Sequence, residues 1–198
     1  MDRQTAKYGA LIWDGNIYHE IEDQSGQNYT FHEVDDLIIE DNFKKFEELL
    51  EHNPHLINSL RTKRNKTTLL MESAWSRTWA ETFPKLAEYN QDISVVGIYD
   101  RNIIHRIVIH GADDEALTML TTLSKHQNIK DPSIINAVDS VRQDTPLHMA
   151  AYFNKLKTLE YLVDFDADLT LRNNKGEKPG EHFKCSEDTK KLIKSLGK

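Results

Sequence analysis

The chain has 198 residues, of which 38% are hydrophobic and 29% are charged, and its formal net charge is −7. This length can bury a proper core in one domain or at most two small ones, and the acidic balance argues against nucleic-acid binding by bulk charge. The content of 8 glycines and 5 prolines argues against a turn-rich all-β fold and against a disordered chain.

The charge is distributed unevenly along the chain. Residues 1–58 hold 13 acidic and 4 basic side chains, whereas the remaining residues hold 19 acids and 21 bases. The apolar stretch at residues 9–13 is too short for a signal-peptide core, and no segment approaches the roughly 18 apolar residues of a membrane helix. We therefore expect a cytoplasmic protein with no membrane partner.

The first predicted element is a β-hairpin over residues 8–21. Asp14-Gly15 is a strong signal for a two-residue turn, because both positions must accept a positive φ. A lone hairpin is marginally stable in water. We therefore expect Leu11, Trp13 and Ile17 to cover the first helical unit, and a polar loop to follow at residues 23–29.

From residue 31 onward the hydrophobic spacing becomes helical. One face holds Val34, Leu37 and Ile38, and a second segment places its apolar residues at the same kind of spacing: Phe43, Phe46, Leu49 and Leu50. Similar pairs of short helices recur down the chain. Such recurrence is typical of a repeat protein.

The clearest unit begins with Asp144-Thr145-Pro146-Leu147-His148-Met149-Ala150-Ala151 and ends with Asp166-Ala167-Asp168, after a helical segment that carries Leu159 and Leu162. This order resembles the ankyrin repeat, whose pattern is Thr-Pro-Leu-His-x-Ala-Ala, a second helix ending in paired leucines, and Gly-Ala-Asp. Asp166 stands where the family has glycine. The resemblance implies an all-α repeat solenoid of stacked helix pairs.

Related segments occur before and after this unit. Asn102–Val108 and Thr68–Ala74 align with the same motif, and Lys175–Pro179 begins a further unit that ends in a charged helix, Glu187–Leu196. The step of 43 residues from Asn102 to Thr145 exceeds the usual period of about 33, which indicates an insertion near residues 124–134. The resemblance thus implies about five helix-turn-helix units behind an N-terminal hairpin domain (1–30), near residues 31–63, 64–97, 98–140, 141–173 and 174–198.

Ankyrin arrays bind proteins through a concave surface. The resemblance places the exposed, variable positions just before the Thr-Pro-Leu-His block and just after the paired alanines. In this chain these positions are rich in aromatic residues and arginine, which dominate interface hot spots: Trp75, Arg77, Trp79, Tyr99, Arg101, His110, Arg142, Gln143, Tyr152 and Phe153. The alternative is that the hairpin or the insertion covers the aromatic residues, so that they belong to the core.

The residues with catalytic potential favour structural roles. His105 and His148 occupy the histidine position of the repeat, where the family uses the side chain to tie neighbouring loops. Cys185 and His182 share a face of the expected terminal helix, but no oxyanion motif surrounds them. Glycine-rich phosphate loops are also absent from the sequence. We expect no catalytic residue, no metal and no cofactor, and the single cysteine favours a reducing compartment.

The main hypothesis is a monomeric, non-enzymatic adaptor that binds a partner protein and no nucleic acid. A rival is an enzyme or enzyme inhibitor whose pocket, built by the hairpin and the 124–134 insertion, is lined by His105, His110 and Asp113. A third interpretation is a secreted bacterial effector that acts in the host cytosol, because 17 lysines against 8 arginines resemble the usage of an AT-rich genome.

Overall fold

The computed structural model describes residues 12–13, 18–19, 21–22, 25–29, 37, 43–53, 67–89 and 91–197. The chain divides into two compact units, residues 1–92 and residues 93–198. The first unit contains strands β1 (Ile12–Trp13), β2 (Tyr18–His19), β3 (Ile21–Glu22) and β4 (Asn28–Tyr29), and helices α1 (Phe43–His52), α2 (Leu69–Ser73) and α3 (Trp79–Ala87). The second begins with a 3-10 turn (Ile98–Asp100) and continues with α4 (Ile103–His110), α5 (Asp113–His126), α6 (Pro132–Ile135), α7 (Pro146–Tyr152), α8 (Leu156–Asp164) and α9 (Glu187–Leu196).

The strands of the first unit form two short antiparallel pairs. In β1–β2 the register aligns Trp13 with Tyr18. The predicted turn at Asp14-Gly15 lies outside the described part of the chain, as do Leu11 and Ile17, so the turn and the contact with the first helical unit stay predictions.

The second strand pair falls where the sequence predicts a polar loop. β3 pairs with β4, aligning Ile21 with Tyr29 and Glu22 with Asn28. The prediction of a loop over residues 23–29 is therefore wrong at its end, because a two-residue strand is too short to show hydrophobic alternation. β3 also lies beside α1.

The helices of the first unit follow the predicted apolar spacing where the structure describes them. Phe46 and Leu49 of α1 are fully buried. α2 begins after Thr68, whose hydroxyl accepts the backbone N–H of Met71 at 3.3 Å, as a helix N-cap does. α2 packs against α3. Of the predicted segment at residues 34–38, only Leu37 is described, and it is helical.

The helices of the second unit pack in two layers. α4 packs against α7, α5 packs against α8, and the members of each consecutive pair, α4–α5 and α7–α8, also contact each other. The side chains between them are fully buried: Ile104, Ile107, Leu120, Leu147, Leu159 and Leu162. Each helix pair therefore buries its apolar face against its neighbour, as stacked repeats require.

The segment that the sequence predicts to hold an insertion contains a long second helix and a short extra helix. α5 has 14 residues, whereas the equivalent α8 has 9. A loop then leads to α6, where Ile134 and Ile135 are buried. Lys130 in that loop lies 3.3 Å from the carboxylate of Asp166, the residue that replaces the family's glycine and keeps a positive φ of 71°.

The last predicted unit differs from the expected helix pair. α9 spans Glu187–Leu196 as predicted, but residues 178–186 form turns in place of a first helix. Gly180 has a φ of +87°, and it stands where Leu147 continues the helix in the preceding unit. A glycine with this backbone conformation interrupts a right-handed helix, so the prediction of a first helix here is wrong.

Asn102 joins α4 to the insertion. Its Oδ1 accepts the backbone N–H of His105 at 3.2 Å, which caps the helix. Its Nδ2 donates to the carbonyl of Ile134 at 2.7 Å, and the side chain is buried. One side chain thus satisfies a helix donor and a buried acceptor of the inserted segment.

We expect Asn102→Ala to lower the free energy of unfolding by about 2–3 kcal/mol, because it removes a cap and leaves a buried carbonyl without a donor. Asn102→Ser is the matched control, since serine caps a helix but cannot reach Ile134. Urea unfolding should rank the original chain above the serine variant and the serine variant above the alanine variant. Equal stability of the serine variant and the original chain would contradict a role for the Ile134 contact.

Candidate functional site

Two buried histidines hold each loop of the second unit to the next one. The ring of His105 lies between two acceptors, with Nδ1 2.8 Å from Asn102 Oδ1 and Nε2 3.2 Å from the carbonyl oxygen of Asp144. His148 Nε2 donates to the carbonyl of Glu177 at 3.0 Å. Burial lowers the pKa of His105 to about 4 and also lowers the pKa of His148. Both rings are therefore neutral at physiological pH, and their predicted structural role is confirmed.

A buried carboxylate organises the loop before α7. Asp139, 2% exposed, accepts the backbone N–H groups of Arg142 at 2.9 Å and Asp144 at 3.2 Å, and it also accepts two N–H groups of the Arg101 guanidinium. Burial alone raises the pKa of this carboxyl, but hydrogen bonds from Arg142, Arg101 and Asp144 outweigh it, and the pKa of Asp139 lies below its ordinary value. The residue thus stays charged and holds Arg101 in place. The sequence reasoning missed it, because an aspartate in a polar loop carries no distinguishing pattern.

Arg142 forms a second ionic contact one loop further along. Its Nε lies 3.2 Å from the carboxylate of Asp144, and its terminal nitrogen donates to Glu177 at 2.8 Å. Asn173 Nδ2 donates to the other oxygen of Asp144 at 2.7 Å. The guanidinium therefore links the loop before α7 to the loop that follows α8.

These contacts frame an open groove of about 230 Å³ on one face of the second unit. Its lining combines apolar side chains with the ionic groups just described: Arg101, Ile109, Arg142, Asp144, Met149, Tyr152 and Phe153. The rings of Tyr152 and Phe153 meet edge to face with their centroids 5.0 Å apart. Phe153 keeps 43% of its surface exposed. The carboxylates of Asp139 and Asp144 neutralise the charges of the two arginines. The groove therefore has an apolar wall next to a polar rim whose charges cancel.

A buried lysine lies next to the apolar wall of the groove. Lys155 Nζ donates to the carbonyls of Val108 and Gly111, at the carboxyl end of α4, where a cation is favourable. Burial lowers the pKa of Lys155, while Asp113 and Glu115 oppose that shift. The ammonium also lies 5.9 Å from the centre of the Phe153 ring. Lys155 thereby anchors the start of α8 to the end of α4.

The groove brings together four of the residues that the resemblance assigns to partner binding: Arg101, Arg142, Tyr152 and Phe153. It adds Ile109, Asp144 and Met149, which the sequence reasoning missed because they lie inside the motif and resemble ordinary core or turn positions.

Three further predicted residues of the second unit lie outside the lining. Tyr99 is 56% exposed and its ring lies 5.2 Å from the guanidinium of Arg101. Gln143 is exposed with a φ of 54°. His110 ends α4, and burial together with Arg106, Lys155 and Arg101 lowers its pKa to about 4.

The remaining predicted residues belong to the first unit. Trp75 is 46% exposed and Arg77 is exposed, both in the turn between α2 and α3. Trp79 begins α3 and is half-buried. Trp75 is therefore a surface residue, and the alternative that it belongs to the core is wrong.

The residues that the enzymatic alternative assigns to a pocket take part in contacts that stabilise the fold. His105 is fully buried, and Asp113 accepts the backbone N–H groups of Lys157 and Thr158 at 3.0 Å each, which caps α8. Cys185 and His182 precede α9, so their predicted place on that helix is wrong. Burial raises the pKa of the Cys185 thiol, which disfavours the nucleophilic thiolate.

Among the residues that the structure describes, no three His, Cys, Asp or Glu side chains are grouped as a metal site. None of the helices in that part of the chain combines the length and apolar character that a membrane crossing requires.

The comparisons with known proteins agree with the motif in the second unit. The family model of the ankyrin repeat matches residues 142–174, which span α7, α8 and the loops on either side of them. No curated protein matches the chain. The chain is therefore a protein that contains an ankyrin repeat, and this repeat supplies Arg142, Tyr152 and Phe153 to the groove.

We expect acid to destabilise the fold through the buried histidines. Below the unfolded pKa near 6.5 the unfolded chain binds a proton that the folded His105 does not bind, so stability falls from about pH 6.5 to about pH 4, by at most about 1.4 kcal/mol per pH unit for each such group. His105→Gln should be less stable than the original chain at pH 7, and the difference should narrow as the pH falls.

Urea unfolding at several pH values between 7 and 4 provides the measurement. His126→Gln, at an exposed position in the last turn of α5, serves as the control for the loss of a histidine and should lower the stability at pH 7 much less than His105→Gln does. A constant difference for His105→Gln across the pH range would rule out its titration as a cause.

Proposed function

We propose that the chain is a non-enzymatic interaction module that binds a partner protein through the groove of residues 93–198. The observation that carries this proposal is the meeting of Arg101, Arg142, Tyr152 and Phe153 around one open groove of about 230 Å³. An exposed apolar wall beside polar groups is a common feature of protein-binding surfaces. The ankyrin repeat at residues 142–174 supports the same function.

The partner's contact residue should be apolar. The wall of Ile109, Met149, Tyr152 and Phe153 favours an inserted aliphatic or aromatic side chain, because both arginines already have carboxylate partners. Burying another charge there without a new counter-ion is costly. The arginines and Asp144 then provide hydrogen-bonding groups around the inserted side chain.

The tips of the neighbouring loops extend this surface. Tyr99, Val138 and Val141 are each about half exposed, at 56%, 47% and 49%. The backbone N–H of Ser140 donates to the carbonyl of Tyr99 at 2.8 Å, which holds the two tips side by side. A stable interface covers roughly 800 Å² on each partner, so the groove needs these tips to reach such an area.

The wider arrangement belongs to the same proposal. Residues 31–198 are about five repeats, degenerate at both ends, and the strands of residues 1–30 cover the first of them. Trp75, Arg77 and Trp79 provide partner contacts in the second repeat. A reducing, cytoplasmic location agrees with the single buried cysteine.

Phe153 is the sharpest position for a test. Arg101→Ala is a poor probe, because it leaves the buried carboxylate of Asp139 without its guanidinium. A photo-crosslinking amino acid at position 153 should capture a partner protein from a cell lysate. The same group at Phe165, which stacks on Tyr161 at 4.4 Å and does not line the groove, should not capture it.

For the captured partner, Phe153→Ala should weaken binding about tenfold to a hundredfold, as loss of a hot-spot side chain does. Phe165→Ala should leave the affinity unchanged within about twofold. Thermal unfolding of both variants separates loss of contact from loss of fold. Equal capture at positions 153 and 165, or equal affinity of both variants, would contradict the groove as the binding site.

A further inference from the structure

The loop of residues 178–186 carries a strongly exposed aromatic side chain. Phe183 is 80% exposed, whereas no other large apolar side chain that the structure describes exceeds 56%. A single exposed ring on a surface needs no explanation by itself. What surrounds Phe183 therefore decides whether the ring belongs to a binding surface.

Aromatic contacts connect Phe183 to the wall of the groove. The ring centroids of Tyr152 and His182 are 4.8 Å apart, and those of His182 and Phe183 are 4.4 Å apart. Tyr152 in turn meets Phe153, and both of these rings line the groove. The exposed rings of Phe153 and Phe183 are thus parts of one continuous surface, which we call the aromatic row: Phe153, Tyr152, His182 and Phe183.

Asn154 fixes the loop to the end of α7. Its Oδ1 accepts the backbone N–H of Ser186 at 2.6 Å and the hydroxyl of Thr189 at 2.9 Å. Its Nδ2 donates to the carbonyl of Lys184 at 3.3 Å. Because Asn154 belongs to the same ankyrin repeat that supplies the groove wall, the aromatic row is held in place before a partner arrives. Binding to such a surface loses little conformational entropy.

Lys184 places a positive charge at the edge of the aromatic row. Its Nζ donates to the hydroxyl of Tyr152 at 2.9 Å and lies 5.1 Å from the centre of that ring. Within the described part of the chain no carboxylate lies at ion-pair distance from this ammonium, because Glu181 and Glu187 pair with other cations. Both arginines of the groove, in contrast, have carboxylate partners. Lys184 therefore carries an exposed charge that an acidic group of a partner can neutralise.

We infer that the partner places an acidic side chain against Lys184 and an apolar side chain against Phe153, and that Phe183 packs beside the acidic one. This inference rests on the proposed function of the groove and specifies the chemistry of its partner. The Phe153 ring and the Lys184 ammonium lie 5.0 Å and 5.1 Å from the centre of the Tyr152 ring. Positions i and i+2 of an extended segment, or i and i+4 of a helix, span roughly 6–7 Å. The partner segment therefore carries Asp or Glu within about four positions of a large apolar residue.

Selection from a display library of random short peptides, with the full chain as bait, tests the inference. Enriched peptides that bind the original chain better than Phe153→Ala should carry a large apolar residue with an acid within about four positions. Phe153-dependent peptides without such an acid overturn the inference and leave the groove as a binding site. Failure to enrich any Phe153-dependent peptide counts against the groove itself and so overturns both proposals.

Variants of Lys184 assign the acid to this contact. For an enriched peptide, Lys184→Gln should weaken binding about threefold and Lys184→Glu about tenfold, because the first removes an attraction and the second adds a repulsion. The control, Lys125→Glu, makes the same change in net charge at an exposed position of α5 outside the groove lining, and it should change the affinity less than about twofold. Equal weakening by both charge reversals overturns the assignment to Lys184.

A compensating change in the peptide sharpens the assignment. A lysine in place of the peptide's acid should restore binding to Lys184→Glu, and equal affinity of that variant for both peptides overturns the ion pair. Phe183→Ala should weaken the original peptide about tenfold and leave thermal unfolding nearly unchanged, since the ring is 80% exposed. An unchanged affinity would remove Phe183 from the binding surface. The peptides enriched on the original chain decide the inference even if a variant fails to fold.

Discussion

The second unit depends on buried polar contacts that fix each loop against the next. Its helix pairs bury apolar surface against each other, but this packing does not by itself fix the positions of the loops. Asp139 shows the principle most clearly, because a carboxylate that is almost fully buried must satisfy its oxygens with hydrogen bonds. Its hydrogen bonds to two backbone N–H groups and to Arg101 fix the conformation of the loop. His105 and His148 make buried polar contacts of the same kind, each with the backbone of the next loop.

This constraint changes the character of the predicted binding surface. In the sequence, Arg101 and Arg142 look like free contact residues. In the folded unit each guanidinium is paired with a carboxylate, so their removal affects the loops as well as any partner. The exposed apolar wall is left as the most distinctive part of the groove, and Phe153 is its most accessible aromatic residue, at 43% exposure.

The last predicted unit departs from a helix pair for a local reason. Gly180 adopts a conformation that favours glycine, so turns replace a first helix before α9. A cavity of about 340 Å³ lies between α9 and the loop of residues 169–181, where Leu169 and Ile193 contribute apolar lining beside lysine side chains.

The sequence by itself determined the helical segments and the repeat that contains them. The Thr-Pro-Leu-His block predicted α7, its cap and the role of His148, because these depend on neighbouring residues and on a period of 3.6. Contacts between distant residues were decided only by the tertiary structure. The register of β1 and β2, the turns around Gly180 and the pairing of Arg101 with Asp139, 38 residues away, have no local pattern. The groove itself exists because stacking places side chains from separate loops around one space, and sequence spacing along a single repeat does not specify how the next repeat will meet it.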